Sequence, residues 1–406
     1  MTQVSAHADP GESRHIHFSR AEFADRLART RAAMAERGLD ALLCFAQESL
    51  YWLTGHDTFG FCFFQCLVVT PDRDPVLLTR SADQRQAEFT SILDDIRIWK
   101  DAADADPTAD LAAILADLDL KAGRLGVETD THGLTARNGR RLEARVSGGL
   151  ALEDASDLIS TLRLTKSPAE IAHVRRAAEI ADACYAAARP LMVPGADEAA
   201  ILAKLQGENF ALGGDYPANE FILGSGPVAP SPGPARSGAL LCRYYSGRRV
   251  LSAEDQLTLE WAGVHRHYHA ALMRTVPIGA ARPEHRAMHS AAVEALLACE
   301  AALAPGRAMG DVFRAHADTL DRAGFGAARL NACGYALGAR FTPSWMEREM
   351  FYEGAPTEIA PGMVFFLHMI LMDSASGAAM TLGRTSLVGA SGAEPLSALP
   401  LELDHG

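Results

Sequence analysis

Gln256-Leu257-Thr258-Leu259-Glu260-Trp261-Ala262-Gly263 is the stretch on which the fold turns. Successive side chains of a strand point to opposite faces, so Leu257, Leu259 and Trp261 share one face while Thr258 and Glu260 share the other. A strand of this pattern packs its apolar face on a core. Glu260 is left on the polar face, where it is either a solvated surface carboxylate or, if that face lines a cavity, a partly desolvated base or nucleophile.

Outward from this strand the chain alternates helix and strand signals. Ser167-Pro168-Ala169-Glu170 reads as a helix N-terminus: a capping serine, proline at the first helical position, and a glutamate that reaches back. It predicts a long helix into Ala188, followed by a helix over 198–212 and a strand over 216–223. Residues 224–238, rich in proline, glycine and serine, read as a loop and a candidate lid. Two further helices, over 284–303 and 310–323, complete an α+β layer.

Upstream, Ser19-Arg20-Ala21-Glu22 predicts a second capping box, with the helix running to Arg37 and stopping at Gly38. Strands over 41–45, 61–69 and 76–78, a helix over 111–118 and a strand over 125–127 give this half an α/β pattern. The expected divisions are a loose arm over 1–17, an α/β domain over 18–163 and a larger α+β domain over 164–406.

The 406 residues, with 48% apolar side chains, suffice for two domains with sizeable cores. A formal net charge of −13, unrelieved by any lysine/arginine run, argues against nucleic acid and anionic lipid as partners. No apolar run is long enough to span a membrane, and residues 1–14 lack the apolar core of a signal peptide, so a cytoplasmic protein is expected. The seven scattered cysteines are read as reduced thiols rather than a disulfide framework.

Several stretches together resemble the creatinase and prolidase-like (M24) proteins of the pita-bread fold. Tyr51-Trp52-Leu53-Thr54-Gly55 resembles the signature of their N-terminal domain, and Leu162 to Ile171 resembles the start of their catalytic domain. The strand above, with Tyr268 through Thr275, resembles their central hairpin. Asn331 to Gly338 resembles a glycine-rich strand of theirs, and Pro361-Gly362-Met363-Val364 a turn before a ligand glutamate. The resemblance implies an N-terminal creatinase-like α/β domain, a C-terminal pita-bread α+β catalytic domain, and a homodimer in which Phe59 to Phe64 of one subunit border the cavity of the other.

It also implies an absence. Where dimetal members carry ligands, this chain has Glu260, Ala271, Tyr335, His368 and Gly383, and one carboxylate with one imidazole is too few for a cage around two divalent ions. No metal or other cofactor is therefore expected. Within the family, Glu260-Trp261-Ala262-Gly263, Tyr268-His269-Ala270, Gly334 to Gly338 and Pro343-Ser344-Trp345-Met346-Glu347 are most similar to the metal-free ectoine hydrolases. Creatinase is a poorer match, since its catalytic glutamate would fall on Met273 and its base histidine on or near Arg243.

The resemblance makes Glu260, His368 and His269 the candidate catalytic residues: Glu260 as nucleophile or base, and the imidazoles as proton carriers. His265, His267 and His269 alternate in a way that suits zinc, but the first two fall at a turn and a zinc site is not expected. Arg243, Tyr335, Trp345 and Glu347 are the candidate substrate-binding residues. A guanidinium at 243 suits a carboxylate, and Trp345 suits an apolar or cationic wall. Three have a plainer alternative: a core histidine at 368, a surface arginine at 243, and a tryptophan at 345 that plugs the dimer contact.

An amidinium carbon is electron-poor without any metal, and ectoine is such a cation, cyclic and carrying a carboxylate. The expected activity is hydrolysis of a non-peptide C–N bond in ectoine or a similar small amidine, opening the ring to an N-acyl diamino acid. The alternatives are a Xaa-Pro-type metallopeptidase, a creatinase-like amidinohydrolase and a non-catalytic binding protein.

Overall fold

A computed structural model describes residues 14–227, 249–373 and 378–404. The chain divides into two compact units, Met1–Arg163 and Leu164–Gly406. Among the described residues no helix is long and apolar enough to cross a membrane, and the six described cysteines are free, five of them buried.

The first unit is built on a mixed six-stranded sheet. Its strands are β1 (Ala41–Cys44), β2 (Cys66–Val69), β3 (Val76–Arg80), β4 (Asp95–Trp99), β5 (Gly123–Val127) and β6 (Leu150–Asp154), in the order β4-β3-β2-β1-β5-β6. Alternate residues feed two cores. Leu43, Cys66, Val68 and Leu78 pack with Leu111, Leu115 and Leu142 on one side, whereas Leu42, Cys44, Leu67 and Leu77 pack with Met34, Leu50 and Trp52 on the other. This is the period-two pattern of a sheet covered on both faces.

The capping serine at 19 accepts from the Glu22 amide, and the helix Arg20–Arg37 ends at Gly38 with φ 64°. The Glu22 carboxylate pairs instead with Arg26, at 3.0 Å. Two expectations need correction. Residues 60–62 form a 3-10 turn rather than the beginning of a strand. Residues 14–17 are tied down rather than loose: Arg14 donates to the carbonyls of Ser91 and Leu93, and His17 Nδ1 lies 2.8 Å from the Tyr51 hydroxyl.

The second unit holds an antiparallel eight-stranded sheet. Its strands are β7 (Ile222–Pro227), β8 (Asp255–His265), β9 (Tyr268–Pro277), β10 (Ala332–Ala336), β11 (Met350–Tyr352), β12 (Val364–Met372), β13 (Ala379–Gly389) and β14 (Gly392–Pro395). The order is β11-β10-β12-β13-β9-β8-β7, with β14 on β13. Helices Pro168–Ala188 and Pro283–Ala302 pack on one face, and an extensive apolar core lies between the second of these, helix Met309–Arg322 and the sheet.

The capping box at Ser167 is complete: Ser167 Oγ accepts from the Glu170 amide, and Glu170 Oε2 accepts from the Ser167 amide at 2.9 Å. The other oxygen of Glu170 accepts from the Tyr268 hydroxyl at 2.7 Å, which ties the helix to the hairpin. Trp261, read from its alternation as core-facing, donates from its indole to Ala181 O at 2.9 Å. Beside it the helix comes so close that a Cβ on Gly263 would stand 1.9 Å from Ala177 O, so only glycine fits there.

Candidate active site

Cross-strand register brings the chemistry together. Ile222 faces Glu260, Glu260 faces Met273, Met273 faces Gly383, and Gly383 faces His368. Directly opposed residues of neighbouring strands lie on the same face. Glu260 and His368 thus stand on one rung of the sheet, with Met273 and a side-chain-free glycine between them. Above this rung opens a cavity of about 840 Å³, walled by Thr258, Glu260, Met273, Tyr335, Trp345, Met346, Met350, His368, Ile370, Met372 and Thr381, together with Phe210 and residues 216–222.

Tyr335 reaches this wall from β10, four strand spacings from β8. In a flat sheet those backbones would be roughly 19 Å apart, more than the two side chains can bridge. Yet the Tyr335 hydroxyl lies 3.3 Å from Glu260 Oε1, so the sheet curls around the cavity. Regular pairing of Tyr335 with Phe366 of β12, two residues from His368, puts the phenol on the cavity face. Gly334 makes it possible with φ 151°, where an added Cβ would meet Phe366 O at 2.2 Å.

The direction of each hydrogen bond here follows from chemistry. The Trp345 indole is a donor only, so the phenol oxygen accepts from Nε1 at 2.8 Å and its own proton is available to Glu260. Burial, and after it the charge of Glu260, holds the Tyr335 hydroxyl well above its usual pKa, so it stays a donor. Trp345 and Tyr335 together fix one oxygen of Glu260.

His368 is buried at the other end of the rung, its ring centroid 5.6 Å from those of both Tyr335 and Phe366. Burial pushes its pKa down to about 4, so it is neutral at neutral pH. Its Nδ1 has no hydrogen-bond partner among the described residues.

Glu260, His368, Tyr335 and Trp345 therefore meet in one cavity, whereas two other candidates lie apart from it. His269 sits four residues along β9 from Met273, roughly 13 Å further down the strand, and is not in the wall. Its Nε2 accepts from the Ala218 amide at 2.9 Å, and burial lowers its pKa to about 3. It anchors residues 216–221, which do line the cavity, rather than facing a substrate. Glu347 is also outside the wall: it is buried, with Oε2 3.6 Å from Arg340 Nη1. Arg243 lies outside the described residues, as does most of the candidate lid, of which 224–227 belong to β7.

Residues 216–221 were expected as part of a strand, but only 222–227 pair in the sheet. Pro217, which has no amide proton to give a ladder, was the signal against a strand there. The other two histidines of the run lie at the turn, as expected: Arg266 and His267 have positive φ, and His265 Nδ1 lies 3.1 Å from His173 Nδ1.

The donors in this wall do not suit a pair of divalent metals. Ala271 and Gly383 offer no side-chain ligand, and the Tyr335 phenol is held protonated. Among the described residues no three of His, Cys, Asp and Glu stand together in a ligating array.

Comparison with known proteins places this arrangement. The sequence pattern of metallopeptidase family M24 matches residues 172–389, and that of the creatinase/prolidase N-terminal domain matches residues 26–165. The chain is 29% identical to an ectoine hydrolase of Halomonas elongata, over 96% of this chain and 98% of that one. It is 30% identical to an uncharacterized hydrolase/peptidase of Sinorhizobium fredii, over 96% and 99%. Among solved structures, the fold matches a prolidase from Thermococcus sibiricus, with a TM-score of 0.82 at 18% identity over 95% of this chain and 99% of that one. It also matches a Xaa-Pro dipeptidase from Bacillus anthracis, with a TM-score of 0.80 at 20% identity over 95% and 100%. The chain belongs to the M24 family of hydrolases, with a creatinase-type N-terminal domain and a pita-bread catalytic domain.

Proposed function

We propose that this protein hydrolyses a C–N bond in ectoine or a similar small amidine, without a metal ion. The observation that carries this reading is the Trp345–Tyr335–Glu260 chain facing a neutral His368 across one cavity, in a wall whose donors do not suit a metal pair. The similarity to an ectoine hydrolase along nearly the whole chain supports the substrate class.

The amidinium carbon is electron-poor because the substrate carries the positive charge. Glu260, fixed through one oxygen, either takes a proton from a water that adds to that carbon, or attacks the carbon itself, in which case a water cleaves the adduct after the nitrogen has left and restores the carboxylate. The carbon gains one oxygen and loses one nitrogen, which departs as an amine after receiving a proton. His368, neutral at rest, accepts and passes on that proton. Arg243 is proposed to hold a substrate carboxylate. The likeness to prolidases is one of fold, and no donor set among the described residues of the wall favours a metallopeptidase.

The family likeness further supports a homodimer. Phe59 and Phe63, 75% and 38% exposed, are the residues we assign to a neighbouring subunit's cavity. Light scattering of the purified protein tests the dimer.

The activity is tested by incubating ectoine with purified protein in excess chelator and following the gain of one water by mass spectrometry. Turnover in chelator is expected. Activity that disappears with chelation and returns with a divalent metal would overturn the metal-free reading.

A further inference from the structure

Thr258 stands next to Glu260 on the cavity face of β8, and its hydroxyl is an anomaly. The residue is 3% exposed and lines the cavity, yet Oγ1 has no hydrogen-bond partner among the described residues. Buried hydroxyls are ordinarily paired, and sites that recognise a polar ligand are where unpaired ones are tolerated.

The neighbours explain why the protein does not satisfy it. Across the sheet Thr258 is opposed on one side by Gly224, which has no side chain. On the other side it is opposed by Thr275. That hydroxyl is already committed to β13: it accepts from the Thr381 amide at 2.8 Å and lies 3.0 Å from Thr381 Oγ1. The arrangement leaves the Thr258 oxygen without a partner in the sheet, on a side chain that lines the cavity.

The chemistry of the wall says what such an oxygen would meet. Its charged side chains among the described residues are Glu220 and Glu260, with no lysine or arginine, and His368 is neutral. A cavity of this kind favours a cation, and a cationic amidine brings N–H donors rather than acceptors. Thr258 and Glu260, two residues apart along the strand, are separated by roughly 6.6 Å, a span that one amidine group can cover with its hydrogen bonds.

We propose that Thr258 is a substrate-binding residue whose hydroxyl accepts a hydrogen bond from an N–H of the amidinium that Glu260 acts on. This rests on the amidine-hydrolase reading. It adds a contact to the nitrogen end of the substrate, which orients the electron-poor carbon toward the carboxylate.

Benzamidinium, an amidinium cation that such a hydrolase need not turn over, is a suitable probe for calorimetric titration of the full chain. Thr258→Val keeps the shape and removes the oxygen, so binding should weaken about tenfold, the effect of one lost hydrogen bond, while Thr258→Ser should restore it. Because valine removes an unpaired buried hydroxyl, the variant should melt at or above the wild-type temperature. A merely structural threonine would give a lower one, and Thr258→Ala provides a second variant should valine disturb the wall. If Glu260→Gln weakens benzamidinium binding and the Thr258 variants do not, Thr258 has no such role and the amidine reading stands. If the wild type does not bind benzamidinium at all, both fall together.

Discussion

Tyr335 and Glu260 belong to strands four places apart in the sheet, and the hydroxyl of one lies 3.3 Å from the carboxylate of the other. The contact makes Tyr335 a positioning group for Glu260, itself positioned by the Trp345 indole. Tyr335→Phe should keep the ring packing and lower kcat by roughly ten- to a hundredfold, with a smaller change in KM, because one oriented donor is lost from the reacting carboxylate. Steady-state kinetics on the substrate identified in the chelator assay provide the check. An unchanged kcat would show that the carboxylate does not need the phenol.

Glu260→Gln is the sharper test of mechanism. The amide conserves volume and can still accept from Tyr335, so the variant should fold normally, but it can neither attack the carbon nor take a proton from water. Turnover should fall by roughly three orders of magnitude or more. Intact-mass measurement of wild type with a slow substrate separates the two roles: an adduct localised to Glu260 identifies a nucleophile, and its absence under burst conditions a base. Near wild-type turnover by Glu260→Gln would remove the carboxylate from the reaction.

Stability should fall on mild acidification. Burial lowers the pKa of His56, His316 and His368 from 6.5 to about 4, and that of His269 to about 3. Each contributes stability that is present above pH 6.5 and is lost as pH falls toward the folded-state value, because the unfolded chain binds the proton first. Glu128 acts the other way. Burial raises it from 4.5 to about 7, although the amides of Phe45 and Ala46 and the Ser49 hydroxyl all donate to it. Its contribution is complete below pH 4.5 and is lost as pH rises through 7. Four groups outweigh one, so denaturant midpoints should drop between pH 7 and pH 5, by on the order of a few kcal/mol in unfolding free energy. A flat or rising profile would mean that these imidazoles are not buried as described.

Much of the fold was readable because it rests on local rules. The alternation of Leu257, Leu259 and Trp261 against Thr258 and Glu260 gives the faces of β8, and Ser167 with Glu170 marks the helix start that the structure shows. Periodicity failed where the backbone departs from it. The curl that brings Tyr335 to Glu260 across four strand spacings is something counting residues cannot supply, and Pro217 diverts residues 216–221 from pairing into the cavity wall. His269 shares the parity of Met273 but lies too far along β9 to reach the cavity, a difference of distance and not of face. Alternation puts Thr258 on the polar face, but an unpaired hydroxyl becomes visible only once its neighbours' commitments are known.

Glu170 divides its two oxygens between partners of very different chain separation. One closes the cap of its own helix three residues away, and the other receives Tyr268 from 98 residues further on. The first bond needs only a helical turn, whereas the second must wait until the hairpin has formed and been brought back to the helix. During synthesis, therefore, a chain that has released Glu170 but not yet Tyr268 holds a capped helix whose inner face has nothing to dock on. Ala177, which in the finished domain lies against Gly263, stays uncovered for the same interval. The first helix of this unit thus takes part of its shape from a bond three residues long, and part of its place from one that spans 98.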